Sequence, residues 1–173
     1  MTKQRTANLL GALACEIAER LDRRLTNHPN GSDSAAAALN VIGFYEGCSN
    51  NALSRALKLS HTTTVRLIDK LVEQGLVERR EGIDRRGVSL FLTRQGREQA
   101  RTIVKDRCLA LSEIVDVLSE RQRTQFDKLA EILLRSLTTS AQEADHICRL
   151  CDDAACPPED CPVHQEALSL GAP

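Results

Sequence analysis

Between Ser60 and Glu73 the apolar residues Val65, Leu67, Ile68, Leu71 and Val72 gather on one side of a helical wheel. Thr62, Thr63, Arg66, Asp69, Lys70 and Glu73 fill the opposite side over an arc of roughly 120°. Ser60 is a favoured N-cap residue and Gly75 a stop signal, so this run predicts a helix that packs with its back and displays hydroxyls and cations. Asn50 to Leu57 predicts a shorter helix, capped by Ser49 or Asn50, with Leu53, Ala56 and Leu57 at core spacing. Lys58, Leu59 and Ser60 between the two have the length of a helix-turn-helix connection. After Gly75 the period drops to two: Leu76 to Arg80 forms one strand, and Val88, Leu90 and Leu92 alternate with Ser89 and Phe91 in another. The intervening turn, Glu81 to Gly87, carries Asp84, Arg85 and Arg86 at its tip.

Longer helical patterns flank this unit. Leu9, Leu10, Leu13, Ile17, Leu21 and Leu25 make 6–25 an amphipathic helix, and 35–45 predicts a second, with Leu39, Ile42 and either Phe44 or Tyr45 facing the core. Asn27 to Ser34, with Pro29 and Gly31, reads as a loop. Thr93 can cap a helix reaching about Leu118, striped by Ile103, Val104, Leu111, Ile114, Val115 and Leu118, with Gly96 in a first turn where it costs little. Ser119 and Gln122 have capping-box spacing for a last helix ending near Leu137, with Phe126, Leu129 and Leu133 in register. Helices this long gain most of their stability from packing, and a second copy of the chain would bury these stripes. The expected fold is mainly α with a small two- or three-stranded antiparallel wing: a winged helix-turn-helix over 35–93, dimerisation helices at 6–26 and 94–138, and an acidic cysteine-rich tail at 143–173 beyond a main unit of 1–142.

The composition narrows the chemistry. Aromatic residues are 2% of the chain, too few for the stacking platforms of single-strand binders. The net charge of -1 hides an asymmetry, because 50–101 carries 11 Lys and Arg against 6 Asp and Glu, whereas 143–166 carries 7 acidic residues against Arg149 alone. The positive excess sits on the helix-turn-helix and wing, where phosphates would be met. No signal peptide or membrane span is apparent, and 7 cysteines in a chain with an ordinary core suit ligands or sensors in a reducing cytoplasm.

The stretch LSRALKLSHTTTVRLIDKLVEQGLVERREGIDRRGVSLFLTRQG, with Asp84, Arg86, Leu92 and Thr93 forming an Asp-x-Arg pattern and a Leu-Thr that opens the next helix, resembles the MarR family of bacterial transcriptional regulators. The resemblance extends over roughly Thr6 to Leu137. It implies a homodimer on palindromic double-stranded DNA, with a recognition helix of each protomer in a major groove and a wing arginine in a minor groove. On these residues, Ser60, Thr62, Thr63, Thr64 and Arg66 would meet bases and phosphates, with Lys70 further along the same face. Arg86 would enter the minor groove, oriented by Asp84, while Arg85, Arg79 and Arg80 serve as phosphate contacts or solvated charge. It also implies a repressor whose affinity changes with a small-molecule effector, a metal or an oxidant. Cys15 sits roughly where a peroxide-sensing branch of the family keeps a reactive cysteine, but tyrosines activate that thiol and this chain has only Tyr45, so Cys15 and Cys108 read as packing residues; Cys48 has no favoured role.

The tail HICRLCDDAACPPEDCPVHQ brings Cys148, Cys151, Cys156 and Cys161 into a short span. A C-x2-C pair chelates from a single turn and two more cysteines complete a four-sulfur set, so zinc is the expected occupant, with His146 and His164 as substitutes for a displaced cysteine. The alternatives are an iron-sulfur cluster, free thiols acting as a redox switch, or no defined role. So short an acidic tail, poor in apolar residues, is not expected to fold unaided. A thiol oxidoreductase using Cys148 and Cys151 is the competing enzymatic class, opposed by Asp152 and Asp153, which should raise the thiol pKa. A protein-interaction module that does not bind DNA is a third. With no catalytic triad or nucleotide loop in the sequence, a non-enzymatic regulator is expected.

Overall fold

The computed structural model describes residues 2–26, 28, 32–81 and 87–171. Its elements run α1 (Lys3–Leu25), α2 (Asp33–Phe44), β1 (Cys48–Ser49), α3 (Asn50–Leu57), α4 (His61–Glu73), β2 (Val77–Glu81), β3 (Val88–Leu92), α5 (Arg94–Val115), α6 (Glu120–Leu137), α7 (Ala141–Cys148) and α8 (Pro162–Ser169). The mainly helical architecture with a small antiparallel sheet is as the sequence pattern predicts. No helix among the described residues is long and apolar enough to cross a membrane.

Local chemistry places most boundaries. Ser49 and Ser60 cap α3 and α4 by accepting the N–H of Ala52 at 3.2 Å and of Thr63 at 3.1 Å. Lys58 ends α3 in the left-handed region, φ 52°, which turns the chain into the second helix. The Gln122 Oε1 reaches back to the Ser119 N–H at 2.9 Å, completing the expected capping box. Helix α5 stops at Val115, short of Leu118, because the chain must turn before Ser119 caps α6. Tyr45 does not face the core: it is the C-cap of α2 and is exposed. Most of the loop expected at Asn27 to Ser34 lies outside the described residues.

The sheet has three strands in the order β1-β3-β2. β2 pairs antiparallel with β3, Val77 opposite Leu92 and Glu81 opposite Val88, and β1 adds Cys48 opposite Leu90. A two-residue strand is too short to show a period, so pattern alone could not mark it; it gives Cys48 its place in the fold. The core gathers Leu39 and Ile42 of α2, Leu53 of α3, Ile68 and Leu71 of α4, Leu90 and Leu92 of β3, and Ile103 of α5.

Three segments meet at Leu76. Gly75, at φ 70°, ends α4 in a conformation that suits glycine, and the Leu76 N–H donates back to Leu71 O at 2.9 Å. Thr93 then donates its N–H to Leu76 O at 3.0 Å and its hydroxyl to Gly75 O at 2.7 Å, while accepting the Gly96 N–H at 3.0 Å as the cap of α5. This corrects the reading of Gly96 as a tolerated first-turn residue. A Cβ there would lie 1.9 Å from Leu76 O, so the first turn of α5 reaches the strand only through a glycine. Gly96→Ala should therefore lose about 1–3 kcal/mol of stability through overpacking, opposite to the gain of ~1 kcal/mol from better helix propensity. A lower urea midpoint at unchanged m is the expected result.

Candidate nucleic-acid interface

Helix α4 presents two faces of different kind. Ile68 and Leu71 are fully buried, whereas His61, Thr62, Thr63, Arg66 and Lys70 are exposed. Among the described residues the side chains of Arg66 and Lys70 make no ion pair or hydrogen bond, so their charges are free for an anionic partner. Ser60 and Thr63 share a hydroxyl contact of 2.7 Å at the helix start. Thr64 departs from its expected place: it is 0% exposed and donates its hydroxyl to Ser60 O at 3.1 Å. Its position, four residues before Ile68 and seven before Leu71, puts it on the buried face, and a self-satisfied hydroxyl makes that burial tolerable. It cannot touch DNA.

The wing arginines within the strands are engaged inside the protein. Arg79 Nη2 pairs with Asp69 Oδ1 at 2.6 Å, tying β2 to the recognition helix, and Arg80 pairs with Glu78 while its guanidinium lies 4.3 Å from the Phe91 ring centre. Both act as struts of the wing, a role beyond the two expected of them. Asp84, Arg85 and Arg86 lie outside the described residues.

Residues 32–87 match the MarR family profile. Over 92 residues the chain is 34% identical to the "Transcriptional repressor MprA" of Escherichia coli K12, and the same holds for its counterpart in strain O157:H7. That stretch is 53% of this chain and 52% of the relative, so the chain spans about half the length of the curated relatives it matches. Among solved structures, a MarR family protein from Bacillus stearothermophilus superposes with TM-score 0.71 at 22% identity over 80% of this chain and 99% of that one. Streptococcus pneumoniae FabT, solved in complex with DNA, does so with TM-score 0.68 at 22% identity over 79% and 97%. Residues 32–87 are thus similar to the winged helix of the MarR family.

The segment after α6 lies beyond the stretch that matches the MarR profile, and it is not a loose tail. Helix α7 lies against α3 and α8 against α6, with Ala144, Cys161, Val163 and Ala167 forming a small second core. Leu150, between the two cysteines of the C-x2-C pair, is buried in the main core itself. Asn40, a polar residue in the otherwise apolar middle of α2, donates its side-chain amide to the carbonyls of both Arg149 and Cys151 at 3.1 Å. Further ties are His146 Nδ1 to Ala56 O at 3.0 Å, Lys58 Nζ to Glu143 at 2.8 Å, and Tyr45 Oη to Asp145 at 2.9 Å. Although Tyr45 is exposed as a residue, partial desolvation of its hydroxyl, with Asp145 beside it, pushes that group up to about 12. Pattern reading passed over Asn40, although a lone amide in AAAALNVIGF was a visible signal.

The four tail cysteines and His164 line one cavity of about 510 Å³. Contact between the Cys148 and Cys151 thiols lowers Cys151 to about 6 and raises Cys148; Cys161 interacts with both Cys148 and Cys156. Asp152 does raise Cys151, as expected of an acidic neighbour, but the contact with Cys148 outweighs it. Among the described residues no three Cys, His, Asp or Glu side chains are drawn in around one point as a bound metal requires. His146 is spent on α3, leaving His164 as the histidine at the cavity. Burial raises Cys48 to about 11 and also raises Cys108, whereas Cys15 is exposed on α1 of the single chain.

Because Leu150 fills the main core, Leu150→Ala should cost about 2–5 kcal/mol if α7 and the winged core unfold together. Hydrogen exchange checks this: protection should fall in α7 and in α2 and α3 alike. Loss confined to α7 would mean that the tail opens alone.

Proposed function

We propose that the chain is a DNA-binding transcriptional regulator that acts as a homodimeric repressor on palindromic double-stranded operators in the cytoplasm, and that it is not an enzyme. The observation that carries this is the exposed face of α4, where Thr62, Thr63, Arg66 and Lys70 stand free beside a wing while the opposite face is locked into the core. The likeness to FabT, whose structure was solved with DNA, and to the repressor MprA supports it. Ser60, Thr62, Thr63 and Arg66 would lie at the major groove, with Lys70 at a phosphate. Arg86, with Asp84 orienting it and Arg85 beside it, would serve the minor groove.

The dimer reading rests on apolar surface. Helix α6 buries none of its residues, and Leu129 and Ile132 are 62% and 63% exposed; Leu9 and Leu10 of α1 are each 52% exposed. A second copy would cover these stripes. A small-molecule effector, metal or oxidant would act by changing the spacing of the two recognition helices in the dimer.

The test uses a duplex selected from a random pool, with binding followed by anisotropy at several salt concentrations. Arg66→Ala and Arg86→Ala should each weaken binding by about 1–3 kcal/mol or flatten the salt slope by about one unit, while Thr64→Val, facing inward, leaves the slope unchanged. Salt-insensitive binding, or none, would favour the interaction-module reading instead. In sedimentation, Leu129→Glu with Leu133→Glu should convert dimer to monomer; an unaltered dimer would place the interface elsewhere.

A further inference from the structure

Beyond the DNA-reading surface, the fold assembles a second chemical site. Helix α7 ends at Cys148, and a turn closed by the Cys151 N–H on Cys148 O at 2.9 Å sets the first two thiols side by side. A second pair of turns, Cys156 N–H on Asp152 O at 3.0 Å and Cys161 N–H on Pro158 O at 3.4 Å, returns the chain to the same cavity. Cys161 then stands at the N-cap of α8 without using its side chain as a cap, and is buried. Among the described residues its sulfur makes no capping bond at that helix start and instead meets Cys148 and Cys156.

We propose that Cys148, Cys151, Cys156 and Cys161 bind one thiophilic divalent cation of the zinc class, and that this ion fastens the α7–α8 segment to the back of the helix-turn-helix. Four thiolates in two turns are the donor set and number that such an ion takes in structural sites. Side-chain rotations about a shared cavity are what must draw the sulfurs to bonding distance. On binding, each thiol proton passes to solvent as its sulfur takes the metal, so affinity falls as pH falls.

The surroundings are arranged for this. Asn40 holds the Arg149 and Cys151 carbonyls from α2, and Leu150 is sunk in the main core, so the C-x2-C turn is fixed before any ion arrives. Arg107 of α5 brings a positive charge toward Cys151, and its buried Nε has no hydrogen-bond partner among the described residues, which makes it a donor available to a thiolate. Among the described residues the second pair of cysteines has no comparable hydrogen-bonded anchor to the winged core. Cys156 is exposed, and α8 rests on α6 and α7 through a small cluster. The ion thus joins a rigid half-site to a weaker one, and its structural effect falls on α8 and the loop before it. Because α7 touches α3 at Ala56 and Lys58, beside the turn that leads into α4, fastening this segment also buttresses the recognition helix from behind.

The test needs no DNA and so stands whatever becomes of the regulator reading. Full-length protein is stripped with a chelator under reductant and titrated with Co²⁺, then with Zn²⁺. The expected result is about one ion per chain, with intense sulfur-to-cobalt charge-transfer absorption and tetrahedral d–d bands, bleached when zinc displaces cobalt. Cys156→Ser and Cys161→Ser should each lower affinity by ~10-fold or more, whereas Cys15→Ser leaves it unchanged. Hydrogen exchange on the unsubstituted protein guards against misfolded variants: zinc should raise protection in α8 and the 152–161 loop. The proposal is overturned if wild type binds no more tightly than the variant with all four cysteines changed to serine. It is also overturned if anaerobically prepared protein carries stoichiometric iron and sulfide at these thiols, or if zinc binds without altering exchange in α8.

Discussion

The contact on which the rest depends is the close approach of Gly96 to the Leu76 carbonyl. At that point the end of the recognition helix, the start of the wing and the first turn of the long helix α5 are held by one set of hydrogen bonds around Gly75, Leu76 and Thr93. The back of α4 is fixed by Ile68 and Leu71, but its direction relative to α5 is fixed here. A rotation of α5 would therefore strain this junction and act on α4, because packed interfaces have few alternative arrangements. That coupling is what a regulator needs if an event among its long helices is to alter what its recognition helix meets.

Around this junction the molecule separates two kinds of charge. The free cations Arg66 and Lys70 stand on the outward face of α4, and the strand arginines Arg79 and Arg80 are neutralised by Asp69 and Glu78, which spends them on wing rigidity. The acidic segment lies on the other side of the helix-turn-helix, joined to α3 through Lys58 and Glu143. That surface pair is worth little by itself. The Asn40 amide and buried Leu150 do more to keep α7 in place, because undocking would leave two carbonyls unpaired and expose a large apolar side chain.

Much of the reader was legible from the chain alone, since Ser49, Ser60, Thr93 and Gln122 are local signals and the apolar period of α3 and α4 is strong. Thr64 was misplaced because residue type was weighed above wheel position: a hydroxyl that bonds its own helix can sit in a core. Gly96 was undervalued because the carbonyl that demands a glycine comes from twenty residues earlier, and no local pattern announces it. The two-residue strand at Cys48 and the docking of α7 are likewise set by distant partners, Leu90 for the one and Asn40, Tyr45 and Ala56 for the other. The tail does not fold unaided: Leu150 borrows the core of the winged domain instead of building its own.

The proposed function puts α4 of each of two protomers in a separate major groove. Dimethyl sulfate and hydroxyl-radical footprinting on a selected duplex tests it most directly. The expected result is two protected major-groove patches related by a two-fold axis, centred about one or two helical turns apart, ~10–10.5 base pairs per turn. A single patch without a symmetric mate, or even protection along the whole duplex regardless of sequence, would contradict it.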